Sequence, residues 1–171
     1  MKILNIGCGK DYIEGAVNVD INTRLDPDIV WDCQSQYVPS DLALGSFDKI
    51  VAHDVLEHLT DLVQAMTNCL HLLKLGGEMD IVVPYDLSTG AWSDPTHVRA
   101  FNERSWIYYG EWAWYLGWEE FCFGLTKCEF QVDPEFALRA EGVNVDKLSR
   151  TPRAVESMKV TLTKCKYVIP E

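Results

Sequence analysis

Four short apolar runs in this chain end in residues that can bind or react. Ile3, Leu4 and Ile6 stop at Gly7-Cys8-Gly9, Ala16 to Val19 stops at Asp20, Asp28 to Trp31 stops at Asp32, and Phe47 to Ala52 stops at His53-Asp54. Glycines after an apolar strand let backbone N–H groups approach a ligand, because no Cβ blocks the turn or forces φ negative. A carboxylate ending a second strand can accept both hydroxyls of a ribose, and one ending a third can accept the exocyclic amine of an adenine. The set describes a pocket for an adenosine-containing molecule. Taken singly, each residue also reads as a turn glycine or a strand-end cap.

The elements that must place these residues follow from the apolar pattern. A dinucleotide site would want G-x-G-x-x-G opening a helix, but Tyr12 stands at the third glycine position and only residues 7–16 connect the first two strands. That length is near the minimum for a crossover containing a helix. The pocket therefore suits an adenosine without phosphates, and S-adenosylmethionine fits it best. From Thr60 the apolar residues Leu62, Val63, Met66, Leu70 and Leu73 recur at helical steps, with Thr60 as the expected cap and Gly76-Gly77 as the expected stop. Glu78 to Val83 reads as a buried strand closed by Pro84, and residues 85–117 as loop and aromatic-rich helix with Asn102 as a cap. Cys128 to Val132 and Met158 to Cys165 read as two further strands. Strands separated by helices early and paired late predict a mostly parallel sheet with an antiparallel end, binding ligands at its carboxyl edge.

The 171 residues, 47% apolar and 24% charged, are the size of one domain with an ordinary core. A net charge of −11 is unevenly spread: residues 1–138 carry 8 basic and 22 acidic groups, and 139–171 carry 7 and 4. An acidic body opposes a phosphate backbone, so nucleic acid is not the expected partner, and Arg139, Lys147, Arg150, Arg153, Lys159, Lys164 and Lys166 read as solvated surface. No apolar run reaches the roughly 20 residues a bilayer crossing needs, and the N-terminus lacks the pattern of an export signal. A cytoplasmic protein without membrane contact is expected. The six cysteines form no C-x-x-C pair, so reduced, mostly buried thiols are expected.

The strings Leu4-Asn5-Ile6-Gly7-Cys8-Gly9 and Glu14-Gly15-Ala16-Val17-Asn18-Val19-Asp20 resemble the opening of the class I S-adenosylmethionine-dependent methyltransferases of the type 11 group. Ser46 to Leu59 resembles that group's fourth-strand motif, and Leu73-Lys74-Leu75-Gly76-Gly77-Glu78 its helix-to-strand turn. The resemblance covers residues 3–84. It implies a Rossmann-like α/β three-layer sandwich with a seven-stranded, mostly parallel sheet and an antiparallel C-terminal hairpin strand. One domain would span 1–171, with a cofactor half at 1–84, an acceptor or lid region at 85–117 and C-terminal strands at 118–171. The cofactor implied is S-adenosylmethionine. Gly7 and Gly9 would lie against its methionine portion, Asp20 on the ribose, Asp32 and Cys33 near the adenine, and His53 along its wall, with Cys8 and Ile21 also among the cofactor-binding residues. Asn5 stands where many relatives have an acidic residue. The first strand begins at residue 2, so 85–117 or a second subunit would have to cover the site.

Methyl transfer from a sulfonium is an in-line displacement that depends mostly on positioning, with a base needed where the acceptor loses a proton. Among His53, His58 and His97, the candidate base is His97, because Asp94-Pro95-Thr96-His97-Val98-Arg99-Ala100-Phe101 follows the fifth strand, where acceptor-binding residues belong. The bland reading is a turn pinned by Asp94 and His97. His53 and His58 are five apart, about 140° around a helix, so no metal is expected from that pair. Glu57 and His58 are expected at the start of the next helix or at the substrate's rim. Trp106, Tyr108, Tyr109, Trp112, Trp114, Tyr115 and Trp118 read as core or lid packing, a stacking surface, or a homodimer contact. The activity implied is methyl transfer to an oxygen or nitrogen of a small-molecule acceptor, a sugar or glycan precursor among the options. The alternative is a catalytically silent or partner-dependent S-adenosylmethionine-binding module. A nicotinamide oxidoreductase lacks its third glycine and its helix.

Overall fold

The computed structural model describes residues 1–139 and 144–168. Residues 140–143 and 169–171, within the region expected to carry C-terminal strands, lie outside the described residues. Seven strands form one sheet: β1 (Ile3–Ile6), β2 (Val17–Asp20), β3 (Ile29–Val30), β4 (Phe47–His53), β5 (Leu73–Pro84), β6 (Phe121–Val132) and β7 (Val155–Lys166). Their order across the sheet is β3-β2-β1-β4-β5-β7-β6. The first five run parallel, and β7 is antiparallel to both β5 and β6. The order reverses between β1 and β4, the place where such sheets bind ligands.

The strands alternate faces, and one face makes the core. Leu4 pairs with Ile50, Ile50 with Met79, Met79 with Leu162, Ile81 with Val160 and Val83 with Met158, all of them buried. Side chains two residues apart share a face, so these registers stack apolar groups across four strands, β1, β4, β5 and β7. The opposite face is polar toward β5 and β7. Lys49 pairs ionically with Asp80, and Asp80 Oδ1 accepts the Thr161 hydroxyl at 3.0 Å. Toward β1 and β2 that face carries Asn5 and Asn18, buried beneath residues 7–16.

The 7–16 connection, near the minimum length for a helical crossover, holds no helix. The one helix of more than six described residues is α1 (Leu62–Leu72), which buries Leu62, Ala65, Met66, Cys69, Leu70 and Leu72. Its cap is Asp61, whose carboxylate accepts the Gln64 amide, and not Thr60, whose hydroxyl donates to Gln34. It also stops before Gly76-Gly77. Gly45 N and Ser46 N donate to the His71 and Leu72 carbonyls, and Leu73 turns extended to pair with Phe47. Gly76, at φ +80°, instead makes the bend from which β5 resumes at Glu78.

Residues 85–117 form no long aromatic helix. They fold as a short helix, Gly90–Ser93, and two 3-10 turns, Ser105–Tyr109 and Ala113–Leu116. Asn102 opens the first turn by accepting the Arg104 amide. Trp106, Tyr109 and Trp118 are buried, with Phe101 stacked on Trp106 at 5.5 Å, whereas Tyr108, Trp112, Trp114 and Tyr115 are exposed. Trp118 Nε1 donates to Thr67 of α1, so this segment and α1 lie side by side on the core.

Two other expectations meet the structure. Cys8, Cys33, Cys69 and Cys122 are buried free thiols, while Cys128 is exposed. Lys164 is not solvated surface: it is buried, with Nζ donating to the Leu73 carbonyl at 2.9 Å above the Phe121 ring, and burial lowers its pKa. No helix among the described residues is long and apolar enough to cross a membrane.

Candidate functional site

A cavity of about 370 Å³ opens at the carboxyl ends of β1, β2, β3 and β4, within the size range of small-molecule sites. Gly7, Asp20, Ile21, Asp32 and Cys33 line it, so five of the expected cofactor residues meet on one wall. Trp31 forms apolar lining, and Asp54, Val55, His58 and Leu59 close the side toward β4. A larger groove of about 640 Å³ lies between the aromatic segment and the β6–β7 edge. It lies away from the carboxyl ends of β1 to β4 and contains none of the expected cofactor residues.

Local hydrogen bonds shape this wall. Gly7 and Gly9 have φ of +61° and +54°, the left-handed region that side chains disfavour. Asp20 Oδ2 accepts the Gly9 amide at 2.9 Å and Oδ1 accepts the Asn22 amide at 2.8 Å. Asp20 therefore tethers the glycine loop, and each oxygen keeps a lone pair for a ligand hydroxyl. Asp32 Oδ1 holds the Gln34 amide at 3.0 Å. Burial pushes the Cys33 thiol up to about 12, so Cys33 faces the cavity as a neutral group.

Three expected residues stand off the cavity wall. The Cys8 side chain is buried and its amide donates to the Val19 carbonyl, while Gly9 serves through its bond to Asp20. His53 ends β4 exposed, and Asp54 and Val55 line the cavity in its place.

His97 sits in a turn pinned by Asp94: its amide donates to the Asp94 carbonyl at 3.2 Å, and Asp94 Oδ1 accepts the Thr96 amide at 2.8 Å. The segment after β5 folds back on the 3-10 turn Leu56–His58: Val98 N donates to the Glu57 carbonyl, and Arg99 donates to the Leu59 and Thr60 carbonyls. This brings Glu57, His58 and His97 together, with one ligand atom of each within 4.8 Å of the others. The two imidazoles meet edge to face at 4.6 Å. Glu57 is 1% exposed, and neither carboxylate oxygen has a hydrogen-bond partner among the described residues. Its burial raises its pKa to about 7. The sequence placed Glu57 and His58 at the start of the next helix or at the substrate's rim, and did not join either of them to His97. The cue it held was an acid-rich string after β4 and a second acid-histidine string after β5, the two edges a parallel sheet places side by side.

The model of a family described as a methyltransferase domain matches residues 4–81. No curated protein gives a significant match. Among solved structures, an S-adenosylmethionine-dependent methyltransferase from Archaeoglobus fulgidus is 18% identical, with 95% of this chain and 85% of that one covered and a TM-score of 0.67. The N-methyltransferase NodS from Bradyrhizobium japonicum, in complex with S-adenosylhomocysteine, is 16% identical over 95% of this chain and 76% of its own, with a TM-score of 0.55. The [4+2]-cyclase SpnF is 15% identical over 96% and 75%, with a TM-score of 0.61.

Proposed function

With a class I S-adenosylmethionine-dependent methyltransferase fold, and a methyltransferase domain at residues 4–81, as the premise, we propose that this chain transfers the methyl group of S-adenosylmethionine to an oxygen or nitrogen of a small-molecule acceptor. The observation that carries the proposal is the meeting of Gly7, Asp20, Ile21, Asp32 and Cys33 around one cavity at the point where strand order reverses. Asp20 is positioned for the ribose hydroxyls, Asp32 for the adenine amine, and the Gly7 backbone for the methionine portion. Trp31 and Ile21 supply apolar contact to the adenosine. Solved structures with this fold that hold S-adenosylhomocysteine support the same cofactor.

The acceptor enters from the side of Glu57, His58 and His97, the rim formed by the turn after β4 and the segment after β5. A sugar or glycan precursor is the first acceptor class to test. In the transfer the acceptor's lone pair forms the new bond to the methyl carbon, the carbon–sulfur bond breaks toward sulfur, and the acceptor proton passes to solvent water, directly or through His97. Holding nucleophile, carbon and sulfur in line supplies most of the rate. This role makes His97 an acceptor-side residue.

Calorimetric titration with S-adenosylmethionine, S-adenosylhomocysteine and NAD tests the reading. The first two bind saturably and NAD does not. Asp20→Asn weakens both by roughly 10- to 100-fold, the worth of a hydrogen bond to a charged group. Absence of binding by both sulfur ligands would sink the proposal.

A further inference from the structure

We propose that Glu57, His58 and His97 bind a divalent transition-metal ion of the zinc, cobalt, iron or manganese class at the rim of the cofactor cavity. The proposal rests on where the protons must be. The Thr96 hydroxyl has one proton and stands 2.6 Å from Asp94 Oδ1, which accepts it. The contact of that hydroxyl with His58 Nδ1 at 2.9 Å then requires Nδ1 to be the donor. His97 Nδ1 lies 3.1 Å from the Ala91 carbonyl, which can only accept, so it too carries the proton. With the proton on Nδ1, Nε2 is the atom each ring has left to offer a metal ion.

These nitrogens share their place with a buried carboxylate whose two oxygens have no partner among the described residues. Three acceptors facing one another without a donor repel, and a buried unpaired carboxylate is costly. A cation resolves both. Two imidazoles and one carboxylate suit borderline divalent metals more than calcium or magnesium. The bonds at the two Nδ1 atoms are the outer contacts that fix tautomer and ring orientation in metal-binding histidines. Bonds of about 2.1 Å in a tetrahedral shell would set ligand atoms about 3.4 Å apart, so side-chain movements of about an ångström close the shell. Asp94 Oδ2, 4.0 Å from His97 Nε2, stands next in line as a ligand. Since His58 also lines the cavity, a position remains open toward it. An acceptor hydroxyl there would lose its proton more easily, a consequence that rests on the methyl-transfer reading, whereas the metal site does not.

The test is a titration of chelator-treated protein with Co²⁺, followed by its visible absorption bands, with Zn²⁺ as competitor. One ion binds per chain, and Zn²⁺ displaces it. His58→Gln and His97→Gln each weaken Co²⁺ by more than about 100-fold, since loss of outer contacts alone costs 10- to 100-fold. Asp20→Asn leaves metal uptake unchanged. Cys128→Ser, which removes the exposed thiol, also leaves it unchanged. Failure of the parent protein to take up either metal overturns the site and points to a proton shared between Glu57 and an imidazole. Uptake abolished by Cys128→Ser or untouched by both histidine variants overturns it equally. S-adenosylhomocysteine binding without metal uptake refutes this site alone, and metal uptake without S-adenosylhomocysteine binding refutes the methyltransferase reading alone.

Discussion

A Cβ built on Gly7 would sit 2.4 Å from Cγ2 of Val55, while one on Gly9 would meet only the Gly7 carbonyl, at 3.9 Å. Both glycines have positive φ, so alanine at either carries the backbone strain of about 1–2 kcal/mol. At Gly7 the clash adds to it, because Val55 is buried and its branched side chain is stiff at χ1. Gly7→Ala is therefore expected to lower the urea midpoint clearly more than Gly9→Ala. It also narrows the cavity that both Gly7 and Val55 line, so it weakens S-adenosylhomocysteine in calorimetry while Gly9→Ala acts chiefly on stability. Equal losses from the two variants would show that strain alone matters. Gly7, Asp20 and Asp32 were legible in the sequence because each ends an apolar run, and a parallel sheet sends every such end to one edge. Glu57 was not. Its role depends on a loop that returns from beyond β5, and nothing in the local pattern says that Val98 will bond to the Glu57 carbonyl or that the Glu57 side chain will be left without a donor.

Between β1 and β2 the chain does without a helix, and Asn18 replaces it as the organising element. Its Oδ1 accepts Asn5 Nδ2 at 3.0 Å and the Ile13 amide at 2.9 Å, and its Nδ2 donates to the Ile13 carbonyl and to Asp28 Oδ2. Asn5 Nδ2 also donates to the Asp11 carbonyl. An acidic side chain at Asn5 would lack the N–H groups to make these two donations, which is what its amide contributes here. Asn18→Ala would leave buried donors and acceptors on the loop unpaired, at about 1–3 kcal/mol. We expect that loss in urea unfolding, together with weaker S-adenosylhomocysteine binding, because the same loop carries Gly7 and Gly9. Unchanged ligand affinity in a destabilised Asn18→Ala protein would separate the loop from the site. Strand existence was legible from apolar runs, but element ends were less so. Thr60 and Asp61 are both competent caps, and the choice falls to Asp61 because Gln34, remote in sequence, takes the Thr60 hydroxyl and the Asp61 amide. The early end of α1 is likewise set by Gly45 and Ser46, which no helical periodicity contains.

At the scale of the whole molecule, one apolar cluster runs from Leu4 and Val19 through α1 to Trp106, Trp118 and Phe123. The polar face of the sheet toward β5 and β7 adds little to it, since a partly exposed pair such as Lys49 with Asp80 contributes about 0–1 kcal/mol. Much of the burden therefore falls on the aromatic segment, whose composition was plain in the sequence but whose division was not. With no long helix to give it a period, turn geometry alone selects Trp106, Tyr109 and Trp118 for the interior and leaves Trp114 and Tyr115 outside. Trp106→Ala empties a fully buried site against Phe101 and Tyr109 and is expected to cost about 3–5 kcal/mol. Trp106→Phe should cost far less than the alanine change. It keeps an aromatic ring against Phe101 and removes an indole N–H that is buried without a partner among the described residues, a group that costs about 1–3 kcal/mol when left unpaired. Trp114→Ala, at an exposed ring, should stay within about 0.5 kcal/mol of the parent. Because the core is one cluster, circular dichroism and tryptophan fluorescence should report coincident transitions in all four proteins. A fluorescence transition that precedes the loss of strand signal would mean that the aromatic segment unfolds on its own, and would make it a detachable cover over the sheet and not part of its core.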